Sequence, residues 1–364
     1  MMTPCFDTGA DYSAFADSLL ALETWQDRII GSGLPVVLYG TGKGARKTTA
    51  LFLRSGIAVS AVCASEGSAA LGSSFCGMQV KTYAECAKEF GSFVCVPAFA
   101  ARGDDIALIT EIAQAQTVVM PNPPVAGEGM CGKETLVRLA ETAHFVYERL
   151  GDGESRRVLY EVLAFGITGD INYLARKCPP RLMTVHPGKR FIDVGAYDGD
   201  TALEYARLCP EYGDITAFEP SEANYAKLCR RTEGLRIKCI CAAAWEKRGE
   251  GSENGNDGRA VSVSEKGSGT ELYALDGFGK NVGLIKIDAE GAEREVLYGA
   301  SNTVAAGGDV CCAVYHRADD IITLPRLMLY YRPDAKIYLR REEYLPAWDV
   351  FATITKENNV CTVN

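Results

Sequence analysis

Residues 191–201, FIDVGAYDGDT, constrain the fold of this chain more than any other stretch. Apolar residues at 191, 192 and 194 predict a buried strand, which breaks into a turn at Gly195 and Gly199. Apolar residues then recur at helical spacing until Pro210 ends the helix. A strand, a glycine turn and a helix form the first crossing of a nucleotide-binding α/β sheet.

Carboxylates distinguish this turn from a dinucleotide site. Asp193, Asp198 and Asp200 would repel a pyrophosphate, which binds bare backbone amides at a helix N-terminus. They suit a cofactor with a cationic reactive half, and S-adenosyl-L-methionine carries a sulfonium and an ammonium group. An ordinary strand–turn–helix with an acidic surface turn is the alternative. The residues that we assign to this cofactor turn are Asp193, Gly195, Ala196, Tyr197, Asp198, Gly199 and Thr201.

The next predicted strands end at the same sheet edge, where ligands bind in open α/β folds. The second strand ends at Glu219 and Pro220, and a carboxylate there can accept two hydrogen bonds from a ribose diol. An acid that begins the following helix is the alternative interpretation of Glu219. The third strand ends in small residues, including Ala243, that could lie against adenine. Residues 251–258, GSENGNDG, predict a lid or substrate-facing loop.

Two further strand ends carry groups suited to catalysis. The fourth strand ends at Asp288 and is followed by Glu290, and the fifth ends at His316. A protonated hydroxyl is a poor nucleophile, so methyl transfer to it requires a base. His316 is our first choice because imidazole titrates near neutral pH, and Asp288 and Glu290 are alternatives as the base or as orienting groups. These three groups could also hold Mg or Mn, but we assign no metal site.

The chain has three histidines. The alternative role for His316 is to cap its strand through a hydrogen bond to Asp319 or Asp320. His144 lies on an apolar helix face and is predicted to be structural. His186, just before the 191–201 stretch, is left open.

An earlier stretch is a second strand–turn–helix, in which Gly40, Gly42 and Ala45 fit the dinucleotide pattern G-x-G-x-x-A. The strand after it lacks the terminal acid that would hold a ribose, and Glu66 is the only substitute. A structural or partner-binding role and a nucleotide or sugar-nucleotide site both stay open. An anionic ligand is feasible because the helix begins with three basic residues, Lys43, Arg46 and Lys47.

The length of 364 residues favours two domains. A proline–glycine run at 121–129 predicts the boundary between them. Within the first domain we expect one amphipathic helix at 11–30 and another helix at 104–115. We predict a Rossmann-like domain at 1–130, a helical connector at 131–187 and a cofactor-binding methyltransferase domain at 188–364.

Composition excludes several classes of function. A net charge of −9 leaves no basic surplus to neutralise nucleic-acid phosphates. Neither a secretory signal nor an apolar run long enough to span a membrane is visible. The fourteen cysteines are irregularly spaced, many within apolar strands, which favours reduced thiols and a cytoplasmic location over a metal–thiolate site.

Four blocks in order resemble the FkbM family of S-adenosylmethionine-dependent methyltransferases: FIDVGAYDGDT, AFEPSEANY, LDGFGKNVGLIKIDAEGAEREVLYGA and VYHRADDIITLP. The N-terminal half is similar to that of two-domain members. The resemblance implies two Rossmann-like domains, the second a class I methyltransferase sheet with seven mostly parallel strands and an antiparallel last strand. It also implies O-methylation of a hydroxyl. One departure is Arg181-Leu182-Met183-Thr184, where family members tend to carry an aromatic pair.

The sequence therefore predicts an S-adenosyl-L-methionine-dependent O-methyltransferase that acts on a sugar, glycan or secondary-metabolite hydroxyl. We expect a small-molecule or glycan acceptor, no nucleic-acid partner, no membrane span, and a chain that could form a homo-oligomer. An NAD-dependent oxidoreductase that uses residues 40–45 stays open, although the missing ribose acid disfavours it. A non-catalytic cofactor-binding assembly protein is the third class, and the polar groups at the sheet edge disfavour it.

Overall fold

The computed structural model describes residues 6–254, 262–347 and 349–356. The chain is α/β, with two mostly parallel sheets flanked by helices. The N-terminal part contains α1 (Tyr12–Leu20), α2 (Trp25–Ser32), β1 (Val36–Tyr39), α3 (Lys43–Arg54), β2 (Ala61–Ala64), β3 (Ser74–Phe75), β4 (Met78–Thr82), α4 (Tyr83–Phe90), β5 (Val94–Pro97), α5 (Asp104–Ala115) and β6 (Thr117–Val118).

The strand order of the first sheet is β3-β4-β2-β1-β5-β6. β1, β2 and β5 are short runs of fully buried residues, as expected of parallel strands covered on both faces. The order reverses between β1 and β5, because β2 lies on one side of β1 and β5 on the other. Loops after β1, β5 and β6 therefore surround a crevice at the carboxyl edge.

The prediction of one helix at 11–30 is wrong, because α1 and α2 are separate helices. The hydroxyl of Thr24 accepts a hydrogen bond from the backbone N–H of Asp27 and begins α2. A threonine at this position strongly favours a helix start. The apolar spacing continues from α1 into α2 and concealed the break between them. The predicted helix at 104–115 has the bounds of α5.

Three helices connect the sheets: α6 (Lys133–Arg138), α7 (Ala140–Tyr147) and α8 (Gly153–Thr168). α8 is buried along most of its length. Its Glu161 accepts a hydrogen bond of 3.1 Å from the guanidinium of Arg341, which lies in the last sheet. This buried ion pair fixes the connector to the C-terminal part. The domain limits at residues 130 and 187 stay predictions.

The C-terminal part contains β7 (Arg190–Val194), α9 (Asp200–Leu208), β8 (Ile215–Phe218), α10 (Glu222–Arg231), β9 (Ile237–Ile240), β10 (Ala243–Ala244), β11 (Gly249–Asn254), β12 (Ser262–Ser264), β13 (Thr270–Tyr273), β14 (Val282–Ile287), α11 (Glu293–Gly299), α12 (Ser301–Ala305), β15 (Asp309–Ala313), α13 (Asp320–Tyr331), β16 (Lys336–Arg341) and β17 (Val350–Thr355). The strand order of its main sheet is β16-β17-β15-β14-β7-β8-β9. β17 runs antiparallel to both of its neighbours. The predicted fold class, with its antiparallel last strand, is confirmed.

The predicted third strand continues less far than expected. β9 ends at Ile240, and Ala243 and Ala244 pair instead with β13 in a small second sheet of order β10-β13-β11-β12. The backbone bends because Ala242 donates its N–H back to the carbonyl of Ile240. Residues 255–258 of the predicted lid lie outside the described residues, and so does Trp348, the first residue of the run WDVFATI that predicts the last strand.

Within the part of the chain that the structure describes, no helix is long and apolar enough to cross a membrane. The cysteines described there are unbridged, and most lie in strands or under helices. Burial raises the pKa of Cys95 to about 12, as expected for thiols that pack as small apolar groups.

Candidate active site

The glycine turn after β7 packs directly against the end of β14. Gly195 has a φ of +70°, and a side chain there would collide with the carbonyl oxygen of Asp288. Gly199, with a φ of +89°, begins α9 in the same left-handed region. Left-handed backbone favours glycine because glycine has no Cβ. The two glycines therefore let the turn close tightly over the sheet edge.

Glu219 lies at the end of β8, and the same turn fixes its carboxylate. Its Oε2 accepts the N–H of Tyr197 at 2.9 Å, and its Oε1 accepts the N–H of Ser221 at 3.0 Å. Burial raises the pKa of Glu219, and these two N–H groups and Asn224 lower it in part. A carboxylate offers about four lone-pair positions, so Glu219 is able to accept a further hydrogen bond beyond these three.

A cavity of about 330 Å³ opens at the carboxyl ends of β7, β8, β14 and β15. Predicted cofactor and catalytic residues meet around it, although they lie far apart in the chain. Those that line it are Gly195, Tyr197, Thr201, Glu219, Pro220, Ala243, Asp288, Glu290 and His316.

Four predicted cofactor residues lie behind this lining: Asp193, Ala196, Asp198 and Gly199. Ala196 is buried against Ala217 and Leu228, and Asp198 forms an ion pair with Arg231 of α10. These side chains shape the turn rather than face the cavity.

Lys286, on β14, is a residue that the sequence reasoning missed. Its ammonium is buried under the turn, 3.5 Å from Oδ1 of Asp193 and 3.7 Å from Oδ2 of Asp288. It also donates a 3.0 Å hydrogen bond to the carbonyl of Gly195. Burial lowers the pKa of Lys286, but the two aspartates raise it more, so the side chain stays charged. The lysine inside the apolar run VGLIKI could have indicated this role, because a lysine is rarely buried unless it is paired with an acid.

His316 is fully buried, and its ring faces three carboxylates. Its Nδ1 lies 2.8 Å from Oε1 of Glu293, and its Nε2 lies 3.6 Å from Asp288 and 3.5 Å from Glu290. Burial lowers the pKa of His316, but the carboxylates raise it more, to about 10. The ring is therefore a cation at neutral pH, whereas a base would need the neutral form.

Glu293 is the second residue that the sequence reasoning missed. Its carboxylate accepts two backbone N–H groups of the turn before α11, at 2.8 and 3.1 Å. Burial raises the pKa of Glu293, but His316 and these hydrogen bonds lower it by more, so the net shift is downward and the carboxylate is ionised. Glu293, rather than Asp319 or Asp320, is the closest acidic partner of His316.

Glu290 lines the cavity beside His316, and its backbone φ is +51°. A non-glycine residue in this left-handed region costs about 1–2 kcal/mol, and such strain is found at functional sites. Burial raises the pKa of Glu290 to about 7, although the His316 cation lowers it in part. The pKa of Glu290 therefore suits a base near neutral pH better than that of His316 does.

A divalent cation is the other use for such groups. Asp288, Glu293 and His316 offer ligand atoms that lie within 4.8 Å of one another, whereas the sequence suggested Glu290 as the third ligand. Nδ1 of His316 faces Glu293, so Nε2 is the ring nitrogen left for a metal, and in the imidazolium form Nε2 carries a proton and has no lone pair. The donor set fits a buried ion pair better than a metal site.

Arg181 belongs to the segment that departs from the family pattern, and it lines the cavity. Its guanidinium donates to Glu204 at 2.7 Å and lies over the ring of Phe351. Its Nε is buried with no hydrogen-bond partner among the described residues. A cation, instead of an aromatic pair, therefore covers this end of the cavity.

The N-terminal part also contributes to the lining. Arg102, after β5, lines the cavity, forms an ion pair with Asp349 and lies over the ring of Tyr344. Val125, in the predicted hinge, lines it too. The cavity is thus closed by both halves of the chain.

The other two histidines lie away from the cavity. The ring of His144 stacks on Tyr12 with centroids 4.6 Å apart. His186 contacts Asp309 at 3.0 Å, at the amino edge of the main sheet. Neither residue is placed to act on a ligand of the cavity.

Comparison with protein families gives one match, the Methyltransferase FkbM domain, at residues 193–318. The chain carries an FkbM methyltransferase domain. All residues assigned to the cofactor and to catalysis, from Asp193 to His316, fall within this domain. The match confirms the resemblance that the sequence blocks indicated and identifies the domain as that of a methyltransferase.

A solved FkbM methyltransferase from Methylobacillus flagellatus KT resembles the whole chain. The TM-score is 0.67 at 18% sequence identity, over 96% of this chain and 100% of the other. The likeness shows that the two chains share their fold.

Two further structures are similar to about half of the chain. An rRNA methylase from Streptococcus thermophilus has a TM-score of 0.33 at 12% identity, over 48% of this chain and 89% of its own. Aeropyrum pernix fibrillarin, solved with S-adenosyl-L-methionine bound, has a TM-score of 0.31 at 13% identity, over 47% of this chain and 67% of its own. No curated protein matches the chain.

Proposed function

We propose that this FkbM domain is an S-adenosyl-L-methionine-dependent methyltransferase that O-methylates a hydroxyl of a sugar, glycan or secondary-metabolite acceptor. The observation that carries the proposal is the cavity that Glu219, Asp288, Glu290 and His316 line from three different strand ends. Asp200 and Asp288 suit a cationic methyl donor, and the titratable carboxylate of Glu290 suits a hydroxyl acceptor that must lose a proton.

The chain offers suitable groups for each part of the cofactor. Glu219 is held rigidly by two backbone N–H groups and would accept the ribose hydroxyls. Ala243 and Pro220 present small apolar surfaces for the adenine. The carboxylates of Asp200 and Asp288 would face the ammonium, and Arg181 would face the methionine carboxylate. The donor set therefore fits the cofactor.

S-Adenosyl-L-methionine, when bound, supplies the methyl group as a sulfonium electrophile. The chain's part is to hold the acceptor oxygen in line, and such orientation alone can contribute about 7–11 kcal/mol. Glu290 would take the hydroxyl proton at its carboxylate. The His316 cation, held by Glu293, would stabilise the ionised Glu290 from 3.5 Å. Asp288 would orient the acceptor with Tyr315, whose hydroxyl lies 3.5 Å from it.

Isothermal titration calorimetry with S-adenosylhomocysteine and with NADH tests the proposed function. We expect the full chain to bind S-adenosylhomocysteine with micromolar affinity and not to bind NADH at millimolar concentration. NADH binding without S-adenosylhomocysteine binding would instead support an oxidoreductase that uses the turn at residues 40–45.

Glu219→Ala is expected to weaken S-adenosylhomocysteine binding by about tenfold to a hundredfold, the effect of losing one or two charge-assisted hydrogen bonds. Glu222→Ala, one turn further on, is the matched control because its exposed side chain does not line the cavity. Calorimetry measures both. Wild-type affinity in Glu219→Ala would leave only the helix-start interpretation of this residue.

A further inference from the structure

A second cavity of about 510 Å³ lies beside the first. It is formed by the loops after β1, β5 and β6, at the carboxyl edge where the strand order of the first sheet reverses. Ligands of open α/β sheets bind at this reversal.

Two lysines one helical turn apart, Lys43 and Lys47, line this cavity. Lys47 donates to the carbonyls of Pro124 and Val125 at 2.8 and 2.7 Å, and an ammonium has a third proton to donate. Burial lowers the pKa of Lys47, and the charge of Lys43 lowers it further. Two like charges at this distance repel each other, so an anion between them would be stabilised.

The backbone at the start of α3 adds donors to the same place. Its N-cap residue is Gly42, and no side chain caps the first turn. A side chain at Gly42 would meet nothing within 4 Å, and Lys43 and Gly44 of the first turn line the cavity. Uncapped N–H groups at a helix start favour phosphate. Oδ1 of Asn122, which lines the cavity, is buried with no hydrogen-bond partner among the described residues, so it would accept a hydrogen bond from a hydroxyl or N–H group of a ligand.

The two cavities adjoin each other. Glu290 and Val125 line both of them, and the backbone N–H of Ala126 donates to the carbonyl of His316 at 2.8 Å. The hinge segment therefore contacts the strand end that carries His316 and lines both cavities together with Glu290. A molecule in the second cavity could extend to Glu290.

We propose that the second cavity binds the phosphate-bearing part of the methyl acceptor, with Lys43, Lys47 and the first turn of α3 as its anion site. The acceptor is then a phosphorylated or nucleotide-linked hydroxyl compound, whose hydroxyl reaches Glu290 in the first cavity. Apolar side chains on the remaining wall, Phe99, Met120, Pro123 and Pro346, provide surface for its uncharged part. The role as acceptor site rests on the proposed methyltransferase function, whereas the anion site does not.

Calorimetry of the full chain with inorganic pyrophosphate and with uridine diphosphate tests the proposal. We expect both to bind, and Lys43→Glu to weaken both by about tenfold or more, since it removes a charged hydrogen-bond donor and adds repulsion. Arg54→Glu, the same charge change at the exposed far end of α3, is the matched control and should bind as wild type. Tighter binding of uridine diphosphate than of pyrophosphate would indicate a nucleotide-linked acceptor, and equal binding a simpler phosphate.

S-Adenosylhomocysteine binding is measured in the same proteins, and we expect it to be unchanged by both substitutions. Failure of the wild type to bind either phosphate probe at millimolar concentration, or equal binding by the two variants, would overturn the anion site. Phosphate binding that depends on Lys43, in a chain that does not bind S-adenosylhomocysteine, would refute the proposed function and leave the anion site standing.

Discussion

Glu290→Gln is expected to lower kcat by about 10²- to 10⁴-fold, the usual contribution of a general base. The amide has the size of the carboxylate, so the cavity keeps its shape, but it cannot take the hydroxyl proton. Transfer of a labelled methyl group measures the effect, on an acceptor found by screening hydroxylated compounds for a mass gain of one CH₂. S-Adenosylhomocysteine affinity should stay close to that of the wild type.

Glu343→Gln provides the control, because it is the same substitution at an exposed glutamate outside the cavity lining. We expect its kcat to match that of the wild type. Normal turnover in Glu290→Gln would remove Glu290 from proton transfer. Loss of turnover on addition of EDTA to the wild type would reveal a metal at Asp288, Glu293 and His316 instead.

The pH dependence separates the two candidate bases. A base acts in its deprotonated form, so the rate should rise with pH through a midpoint near the pKa of Glu290, which is about 7. A His316 base would place the midpoint near 10. In His316→Gln the midpoint should move to higher pH, because the imidazolium lowers the pKa of Glu290. A midpoint that does not move would mean that the ring does not stabilise the base.

The sequence predicted the fold and the sheet edge well because strand ends can be read from local patterns. Buried apolar runs such as β8 and β14 are followed directly by acids, and parallel strands bring their carboxyl ends together. Glu219, Asp288, Glu290 and His316 followed from this rule, whereas Gly195, Tyr197 and Thr201 followed from the glycine turn. Their membership of one cavity is now observed, whereas their individual roles stay predictions.

Contacts between side chains could not be predicted in the same way. Lys286 lies opposite Asp193 because of the register between β14 and β7. The turn before α11 places Glu293, rather than Asp319, next to His316. These two contacts set the charge of His316 and the rigidity of the Gly195 turn. A lone sequence carries little information on such pairs, because each depends on two distant segments and a rotamer.

Lys286→Met is expected to lower the free energy of unfolding by about 3–5 kcal/mol, the usual cost of leaving one charge of a buried ion pair without its partner. Asp193 is fully buried, and neither of its oxygens has a hydrogen-bond partner among the described residues. Without Lys286, no cation on β14 would compensate the charge of Asp193. Urea unfolding measures the loss, and Lys280→Met, an exposed lysine just before β14, is the control.

Lys286→Met combined with Asp193→Leu separates charge compensation from packing. If the pair acts through charge, the double variant should regain much of the stability, because no buried charge is left unpaired. S-Adenosylhomocysteine binding should nevertheless stay weak in both variants, since the hydrogen bond from Lys286 to the carbonyl of Gly195 is lost in each. Recovered stability with recovered binding would mean that the lysine does not position the turn. A double variant less stable than either single one would mean that apolar groups cannot replace the pair under this turn.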